Sequence, residues 1–256
     1  MNGADLAGRT ILLTGASRGI GAATARLLGE RGARLIAHYG GHREGAEEAV
    51  RTIAPGNRLL VSADLSVPGS AQALWAEAVA WGEKVDVLVV NAAMMPTTAF
   101  DGSDESWDEG WRTAFQVNVL EPASLIRAAV GHFLEHGGGT IVTLSSWAAQ
   151  RGSALPHLCA YSASKAAVAN LTQTVARTYA RDGILAHVVA PGIVRTRLAE
   201  SSVAARGGIG AVNAALTMGE MVPPLEVAEL IAFLASGRCR HLTGATIDLN
   251  GASNVR

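Results

Sequence analysis

Tyr161 and Lys165 are the residues of this 256-residue chain whose types and spacing most directly suggest chemistry. A helix would carry side chains four positions apart on the same face. A phenol with a pKa of about 10 is a poor acid at neutral pH, but a nearby ammonium stabilises the phenolate and lowers that pKa. The pair therefore predicts a general acid or base. Since the chain has only three tyrosines and two lysines, about 0.02 accidental pairs at this spacing are expected.

Ser146 and Asn118 are the polar residues best suited to assist such a pair. Ser146 follows an apolar run, where its hydroxyl would orient a substrate oxygen, while Ser145 would face the other side of the strand end. Asn118 interrupts an apolar stretch, and a buried amide there must be hydrogen-bonded. The alternatives are strand-end hydrogen bonds for the serines and a packing role for the asparagine.

A glycine-rich turn precedes these residues in the chain. It reads Thr14-Gly15-Ala16-Ser17-Arg18-Gly19-Ile20-Gly21 and lies between an apolar run and a helical pattern. Glycines permit positive φ and a close approach of the main chain, and a helix N-terminus supplies unpaired N–H groups and a positive dipole. A turn of this kind predicts a site for the pyrophosphate of a dinucleotide, although glycines also serve βα turns for steric reasons alone.

Apolar, β-branched runs alternate with stretches of helical period along the whole chain. The runs predict strands at 10–13, 34–37, 59–61, 85–90, 140–144, 186–189 and 246–249. The stretches between them predict helices at 21–30, 45–53, 70–80, 121–135, 161–179 and 225–234. Such alternation is typical of βαβ units, and uniformly apolar runs indicate parallel strands covered on both faces. We therefore predict an α/β fold with one domain over residues 1–256, a doubly wound, Rossmann-type parallel sheet in three αβα layers.

Composition and charge exclude several other classes of protein. Hydrophobic residues make up 49 % of the chain, which excludes disordered and fibrous classes, and the net charge of −1 disfavours a nucleic-acid or membrane partner. Cys159 and Cys239 stand in no metal-ligand spacing, so we expect no metal site. Residues 1–5 lack a signal-peptide pattern and no run is apolar for the roughly 18 residues of a membrane span. We expect a cytoplasmic protein.

The glycine turn and the Tyr-Lys pair together resemble those of the short-chain dehydrogenase/reductase family, and the resemblance extends over nearly the whole chain. The turn has the spacing T-G-x-x-x-G-x-G, and the segment 191–196 is similar to the family's P-G-x-x-x-T loop. Asn91-Ala92 stands in the family's N-N-A-G motif, from which Val90 and Ala93 depart. We interpret these two departures as tolerated drift.

The resemblance implies roles for particular residues. Asn118, Ser146, Tyr161 and Lys165 would form the catalytic tetrad, in which Lys165 also holds the nicotinamide ribose and the Asn118 backbone holds a relay water. Asp64 would meet the adenine. The residues implied to contact the cofactor are Gly15, Ser17, Arg18, Gly19, Ile20, Gly21, Tyr39, Asp64, Leu65, Asn91, Ala92, Tyr161, Lys165, Pro191, Gly192, Val194 and Thr196.

The end of the second predicted strand bears on which dinucleotide binds. An acidic residue there would bind the ribose diol and repel a 2′-phosphate. The sequence has Tyr39 at the position of the family's NAD-selecting aspartate and no carboxylate before Glu44. Arg18, helped by His42 or Arg43, would neutralise a 2′-phosphate. These residues favour NADP over NAD, unless Arg18 is only a solvated turn residue.

The substrate is less well defined by the sequence. Residues 197–224 break the βα rhythm and read either as a lid over a ligand or as an ordinary surface loop. Bulky side chains near the catalytic strand and in this segment favour an apolar carbonyl or alcohol, unless they pack into the core or an interface. They are Met94, Met95, Trp147, Leu155, Met218 and Met221.

The resulting hypothesis is an NADP-dependent oxidoreductase that interconverts a ketone and a secondary alcohol, with Tyr161 as the general acid or base. Two alternatives stay open. One is a catalytically silent dinucleotide-binding regulator, which the presence of both Tyr161 and Lys165 opposes. The other is a reductase of carbon–carbon double bonds, which in related families has a longer Tyr-to-Lys spacing. The family resemblance also implies a homotetramer.

Overall fold

A single seven-stranded sheet forms the centre of the molecule. The computed structural model describes residues 5–255, apart from the side chain of Ser201. Residues 1–4 and 256, which the predicted domain includes, lie outside the described residues, as does most of the 1–5 segment considered for a signal peptide. All strand pairs are parallel, in the order β3-β2-β1-β4-β5-β6-β7. The strands are β1 (Thr10–Leu13), β2 (Arg34–Tyr39), β3 (Arg58–Ser62), β4 (Val87–Val90), β5 (Gly139–Leu144), β6 (Ile184–Pro191) and β7 (Thr246–Leu249).

Helices connect and cover these strands. They are α1 (Gly19–Glu30), α2 (Arg43–Val50), α3 (Ser70–Gly82), α4 (Asp104–Phe115), α5 (Glu121–Glu135), α6 (Ala148–Arg151), α7 (Cys159–Tyr179), α8 (Glu200–Ala205), α9 (Ile209–Ala215) and α10 (Pro224–Ala235). Every predicted strand and helix is present within a few residues. Of the longer helices α4 was not predicted, and α7 begins two residues before Tyr161.

Alternate residues of the strands pack into two apolar layers. In β1, Ile11 and Leu13 contact the layer that contains α1 and α10, whereas Leu12 contacts the layer that contains α3, α5 and α7. Both layers are apolar because the sheet is covered on both faces, which explains the uniformly apolar strands. The α/β, doubly wound, three-layer prediction is confirmed.

A buried carboxylate joins two of these helices. Glu121, at the start of α5, is 3 % exposed and accepts hydrogen bonds from the backbone N–H groups of Gly69 and Ala71 and from the Ser70 hydroxyl. These donors lie at the N-terminus of α3, where a negative charge stabilises the helix dipole and the unpaired N–H groups.

The strand order reverses between β1 and β4, which neighbour each other although β2 and β3 lie between them in sequence. The connections after these two strands leave in opposite directions, so a crevice opens at their carboxyl ends.

The segment 197–224 contributes two short helices, α8 and α9, and ends at a parallel bridge between Val194 and Val222. Val203, Val212 and Met221 from this region pack with Ile193 in a small third apolar cluster. The segment is therefore a packed unit in this structure, and its movement as a lid stays a prediction. In the range 5–255, the helices lack the combination of length and apolar character that crossing a membrane requires.

Candidate active site

A cavity of about 660 Å³ lies at the carboxyl ends of the central strands. Its walls contain nearly all the residues that the sequence predicts for a cofactor and for catalysis. Two predicted residues, Tyr39 and Asn118, are not part of its wall. The predicted residues that line it are Gly15, Ser17, Arg18, Gly19, Ile20, Gly21, Asp64, Leu65, Asn91, Ala92, Ser146, Tyr161, Lys165, Pro191, Gly192, Val194 and Thr196.

The glycine turn has no room for side chains at its two closest approaches. Gly15 has a φ of +73°, and a Cβ there would lie 3.0 Å from the Ala92 Cα. A Cβ on Gly21 would collide with the carbonyl oxygen of Gly15. The first turn of α1 that follows has no side-chain cap and no acidic residue. Its N–H groups are therefore available to an anion.

Thr14 and Asn91 hold this turn against β4. The Asn91 side-chain amide donates to the carbonyls of Thr14 and Gly15, at 2.8 and 3.1 Å. The Thr14 hydroxyl accepts from the backbone N–H groups of Asn91 and Ala92 and donates to the Val89 carbonyl. This network explains why Asn91 is needed beside a glycine turn that lies 76 residues earlier in the chain.

His38 is a site residue that the sequence analysis missed. Its Nδ1 accepts from the Gly15 N–H at 3.1 Å, and its Nε2 lies 2.9 Å from the Ala63 carbonyl, to which only a protonated Nε2 can donate. Burial lowers the pKa of His38, partly offset by the bond to Ala63. We infer a neutral ring with its proton on Nε2, which ties the glycine turn to the loop after β3.

Tyr161, Ser146 and Lys165 lie together on one wall of the cavity. Tyr161 and Lys165 lie one turn apart on α7, and Ser146 follows β5. The Ser146 hydroxyl accepts from the Ala148 N–H at 3.2 Å and lies close enough to the Tyr161 hydroxyl to affect its pKa. The Lys165 Nζ donates to the Leu144 carbonyl at 2.7 Å and lies 6.0 Å from the centre of the Tyr161 ring. Ser145 also lines the cavity, and its hydroxyl donates to the Lys165 carbonyl at 2.9 Å.

Burial dominates the electrostatics of this pair. It raises the pKa of Tyr161 to about 12, with the nearby Ser146 hydroxyl acting in the opposite direction. It lowers the pKa of Lys165 to about 8. The sequence predicted that Lys165 lowers the Tyr161 pKa. In this structure burial raises that pKa instead, and the contribution that lowers it comes from Ser146. The Lys165 ammonium is 6.0 Å from the ring centre and bonded to a carbonyl.

Asn118 lies behind the cavity wall in a π-helical turn, Gln116–Leu120, between α4 and α5. It is 1 % exposed, and its side chain is fully engaged. The amide oxygen accepts from the Met94 N–H, and the amide nitrogen donates to the Met94 carbonyl and to the Ser164 hydroxyl. The side chain thus joins the loop after β4 to α7. A water held by its backbone stays a prediction.

The adenosine end of the cavity differs in detail from the prediction. Tyr39 is 7 % exposed and points away, whereas its neighbours His38, Gly40 and Gly41 line the cavity. Arg43 lies outside the wall and pairs with Glu47. Arg18 is exposed at the cavity rim and has no ion pair with a described residue. Asp64 also lines this end, and hydrogen bonds from Ser66 lower its pKa, so it is ionised at neutral pH.

The opposite end of the cavity combines apolar and basic side chains. Met94, Met95 and Trp147 line it, as predicted for a substrate pocket, whereas Leu155, Met218 and Met221 do not. Met221 packs into the third apolar cluster instead. Additional lining residues come from the segment after Thr196, and they are Arg197, Leu198, Ala199, Ser202 and Arg206.

These observations fit a dinucleotide. At Gly15 and Gly21 the wall leaves no room for a Cβ, and the N-terminus of α1 that follows is uncapped and can bind a pyrophosphate. Arg18 is exposed at the same cavity, which also has open space at Gly40 and Gly41. The Tyr161 hydroxyl and the Lys165 ammonium lie in the wall of the same cavity. One cavity can therefore hold an extended anionic cofactor and a carbonyl substrate.

Comparison with known proteins agrees with this geometry. A family model described as enoyl-(acyl carrier protein) reductase matches residues 15–252. A 3β-hydroxysteroid dehydrogenase of Eggerthella lenta is 36 % identical over 254 residues, covering 98 % of this chain and 95 % of the relative. A cis-4-hydroxycyclohexanecarboxylate dehydrogenase of Sinomonas cyclohexanicum is 38 % identical over 253 residues, covering 97 % and 98 %.

Solved structures also match over the whole fold. A short-chain type dehydrogenase/reductase from Mycobacterium marinum superposes with a TM-score of 0.88 at 27 % identity, covering 98 % of both chains. A structure from Beutenbergia cavernae that contains NADP at low occupancy superposes with a TM-score of 0.86 at 31 % identity, covering 97 % of both chains.

Proposed function

Because the chain belongs to the short-chain dehydrogenase/reductase family of oxidoreductases, we propose that it interconverts a ketone and a secondary alcohol with NADP and with Tyr161 as proton donor and acceptor. The observation that carries the proposal is the shared cavity. Tyr161, Ser146 and Lys165 line the same cavity as the glycine turn. A carbonyl bound beside the phenol would therefore also lie beside a dinucleotide bound at the turn.

Each of these residues has a distinct task in the proposal. A nicotinamide dinucleotide, when bound, supplies or accepts the hydride. Tyr161, whose pKa of about 12 keeps the phenol protonated at neutral pH, gives its proton to the carbonyl oxygen during reduction. Ser146, whose hydroxyl lies near that of Tyr161, orients that oxygen. Lys165 holds the ribose hydroxyls and favours the phenolate once a proton has left.

A tyrosine substitution tests the proton donor. Wild type with NADPH and a panel of ketones should consume NADPH, and Tyr161→Phe should lose at least about 100-fold in kcat, the lower end of a general-acid contribution. Tyr179→Phe, at the end of the same helix, is the matched control and should retain activity. If wild type and Tyr161→Phe consume NADPH equally slowly on every ketone while both bind it, the regulator hypothesis replaces this one.

Arg18 supports the choice of NADP. It is exposed at the cavity rim, free of ion pairs among the described residues, and the only acidic side chain in the described wall is Asp64. A charge-assisted contact with a 2′-phosphate contributes about 1.5–3 kcal/mol, so Arg18→Ala should weaken NADPH binding about 10- to 100-fold. NADH binding should change little, and Arg26→Ala, on the helix that follows Arg18, should affect neither. Equal losses for NADPH and NADH would refute the assignment.

The reduction of a carbon–carbon double bond is the second candidate, since the matching family model is described as an enoyl-(acyl carrier protein) reductase. The four-residue spacing of Tyr161 and Lys165 favours carbonyl chemistry instead. The relatives from Eggerthella and Sinomonas, named for secondary alcohols, agree. A 2-enoyl thioester offered beside a cyclic ketone distinguishes the two, because our proposal predicts turnover of the ketone alone.

We also propose that the protein is a homo-oligomer, a tetramer by family resemblance, in the cytoplasm. Trp107, Trp111 and Phe115 form a row of aromatic side chains along α4. Phe100, which is 73 % exposed, packs beside Trp107 at the start of the row. A partly exposed row of this kind is suited to cover by another copy. Light scattering coupled to size-exclusion chromatography would give the mass, and a monomer at micromolar concentration would contradict the proposal.

A further inference from the structure

The charges along the cavity are unevenly distributed. Its described wall contains the cations Arg18, Lys165, Arg197 and Arg206 and one acidic residue, Asp64. Arg18 and Asp64 lie at the adenosine end, and Lys165 serves the reaction centre in the proposed function. The remaining two cations, Arg197 and Arg206, have no acidic residue near them in the described wall. A cleft lined by one sign of charge attracts the opposite charge.

The packing of α8 directs Arg206 to the cavity. Ser202 lies on α8, and Ala199 and Arg206 directly precede and follow that helix; the three are spaced by three and four residues, and all three line the cavity. Val203, on another face, packs with Val212 and Met221 in the third apolar cluster. This cluster fixes the rotation of α8. Arg206, which directly follows α8, is therefore held toward the cavity by the packing of that helix.

The guanidinium of Arg206 has no partner among the described residues. Its Nε is buried and forms no hydrogen bond, and no ion pair joins Arg206 to a carboxylate. A buried charged donor without an acceptor is destabilising, so such a group is typically completed by an ordered water, an ion or a ligand. Arg197, which directly follows Thr196, is exposed at the same wall and is also unpaired.

We propose that Arg206, assisted by Arg197, binds a carboxylate carried by the substrate at a distance from its reacting carbonyl. The planar guanidinium matches a carboxylate with two parallel hydrogen bonds. Met94, Met95 and Trp147 would contact the apolar part of the same molecule. The substrate class is then a hydroxy or keto acid with an apolar body, in place of the purely apolar substrate that the sequence predicted. This inference rests on the proposed function for the reacting end of the molecule.

A binding experiment tests the anion site without turnover. The protein is saturated with NADP, so that the glycine turn and Arg18 are engaged, and is titrated in a calorimeter with cyclohexanecarboxylate or with neutral cyclohexanecarboxamide. The wild type should bind the carboxylate about 10- to 100-fold more tightly, the range that corresponds to a charge-assisted hydrogen bond. Arg206→Met should remove this preference and Arg206→Lys should retain part of it.

Arg181→Met is the matched control, because Arg181 is exposed and precedes β6 at the opposite end of the sheet. It should keep the full preference. Equal affinity of the wild type for carboxylate and carboxamide would overturn the proposal, as would an unchanged preference in Arg206→Met. If Arg206→Met does not fold, the wild-type comparison and Arg206→Lys still decide.

Kinetics separates this inference from the proposed function. With NADPH, the kcat/KM for 4-oxocyclohexanecarboxylate should fall far more in Arg206→Met than the kcat/KM for its methyl ester. Reduction of the ester by the wild type without preference for the acid would support the proposed function and overturn the carboxylate site. A calorimetric carboxylate preference without reduction of either ketone would support the site and contradict the proposed function.

Discussion

Replacing Lys165 by methionine should make the protein more stable at neutral pH while it removes activity. Lys165 is 3 % exposed, and burial lowers its pKa from the ordinary 10.5 to about 8. At about 1.4 kcal/mol per pH unit, holding this ammonium in the folded protein costs about 3 kcal/mol below pH 8. Methionine removes that cost but leaves the Leu144 carbonyl without its donor, a loss of about 1–2 kcal/mol. We expect a net gain of about 1–2 kcal/mol.

The stability difference between wild type and Lys165→Met should also change with pH. Between pH 8 and 10.5 the folded Lys165 is neutral and the unfolded Lys165 is still charged, so the unfolded state binds more protons and the wild type becomes more stable as pH rises. Lys165→Met lacks this contribution. Its advantage over wild type should therefore shrink by about 2 kcal/mol between pH 7.5 and 9.5.

Urea unfolding at fixed protein concentration, at pH 7.5, 8.5 and 9.5, measures the difference. Lys84→Met is the matched control, since Lys84 is the chain's other lysine and its side chain is 47 % exposed beside Asp86. That variant should track the wild type across the range. A Lys165→Met protein that is less stable than wild type by the same amount at every pH would refute the argument, because burial would then impose no cost on the ammonium.

Three further predictions concern other parts of the structure. Glu121→Ala should destabilise the protein by about 3 kcal/mol in urea unfolding, because it removes the buried acceptor at the start of α3, whereas Glu135→Ala should have little effect. Gly21→Ala should abolish NADPH binding in calorimetry through its collision with the Gly15 carbonyl, and unchanged affinity would contradict that reading. Because burial lowers the pKa of His38, its contribution to stability should fall as pH drops below 6.5, by at most about 1.4 kcal/mol per pH unit, and His38→Asn should show a weaker fall than wild type.

Local patterns in the sequence predicted most of the fold. Apolar runs specify buried parallel strands, and all seven strands lie where these runs occur. Helix α4 was missed because its composition is polar, although two signals were present. Ser103 caps the helix by accepting from the Ser106 N–H, and Trp107, Trp111 and Phe115 follow at intervals of four residues.

The cofactor end of the cavity depends on strand geometry that the sequence alone does not specify. Successive residues of a strand face opposite sides, so an error of one position exchanges a cavity residue for a core residue. Tyr39 was chosen at the end of β2, but His38 and Gly40, one position to either side of it, are the residues that line the cavity. The acceptor role of His38 also requires a contact with Gly15, 23 residues away, which no local pattern indicates.

The direction of side chains in the segment 197–224, at the substrate end of the cavity, was equally impossible to predict from the sequence. Arg206 follows a short helix in a segment whose sequence suggested either a lid or a loop. Its direction depends on Val203 packing against Val212 and Met221, which is visible only in the folded structure. In contrast, the Tyr161 and Lys165 pair was correctly predicted to share a helical face, because that relation depends only on spacing within α7.

Transfer of deuterium from the nicotinamide to a ketone tests the central claim most directly. Wild type is incubated with NADPH deuterated at the transferring position of C4 and with 4-oxocyclohexanecarboxylate or its methyl ester, and the product is analysed by mass spectrometry. The account predicts an alcohol with one deuterium on the carbinol carbon, formed by wild type and by Tyr179→Phe but not by Tyr161→Phe. An alcohol without deuterium, or deuterated alcohol formed at the wild-type rate by Tyr161→Phe, would contradict it.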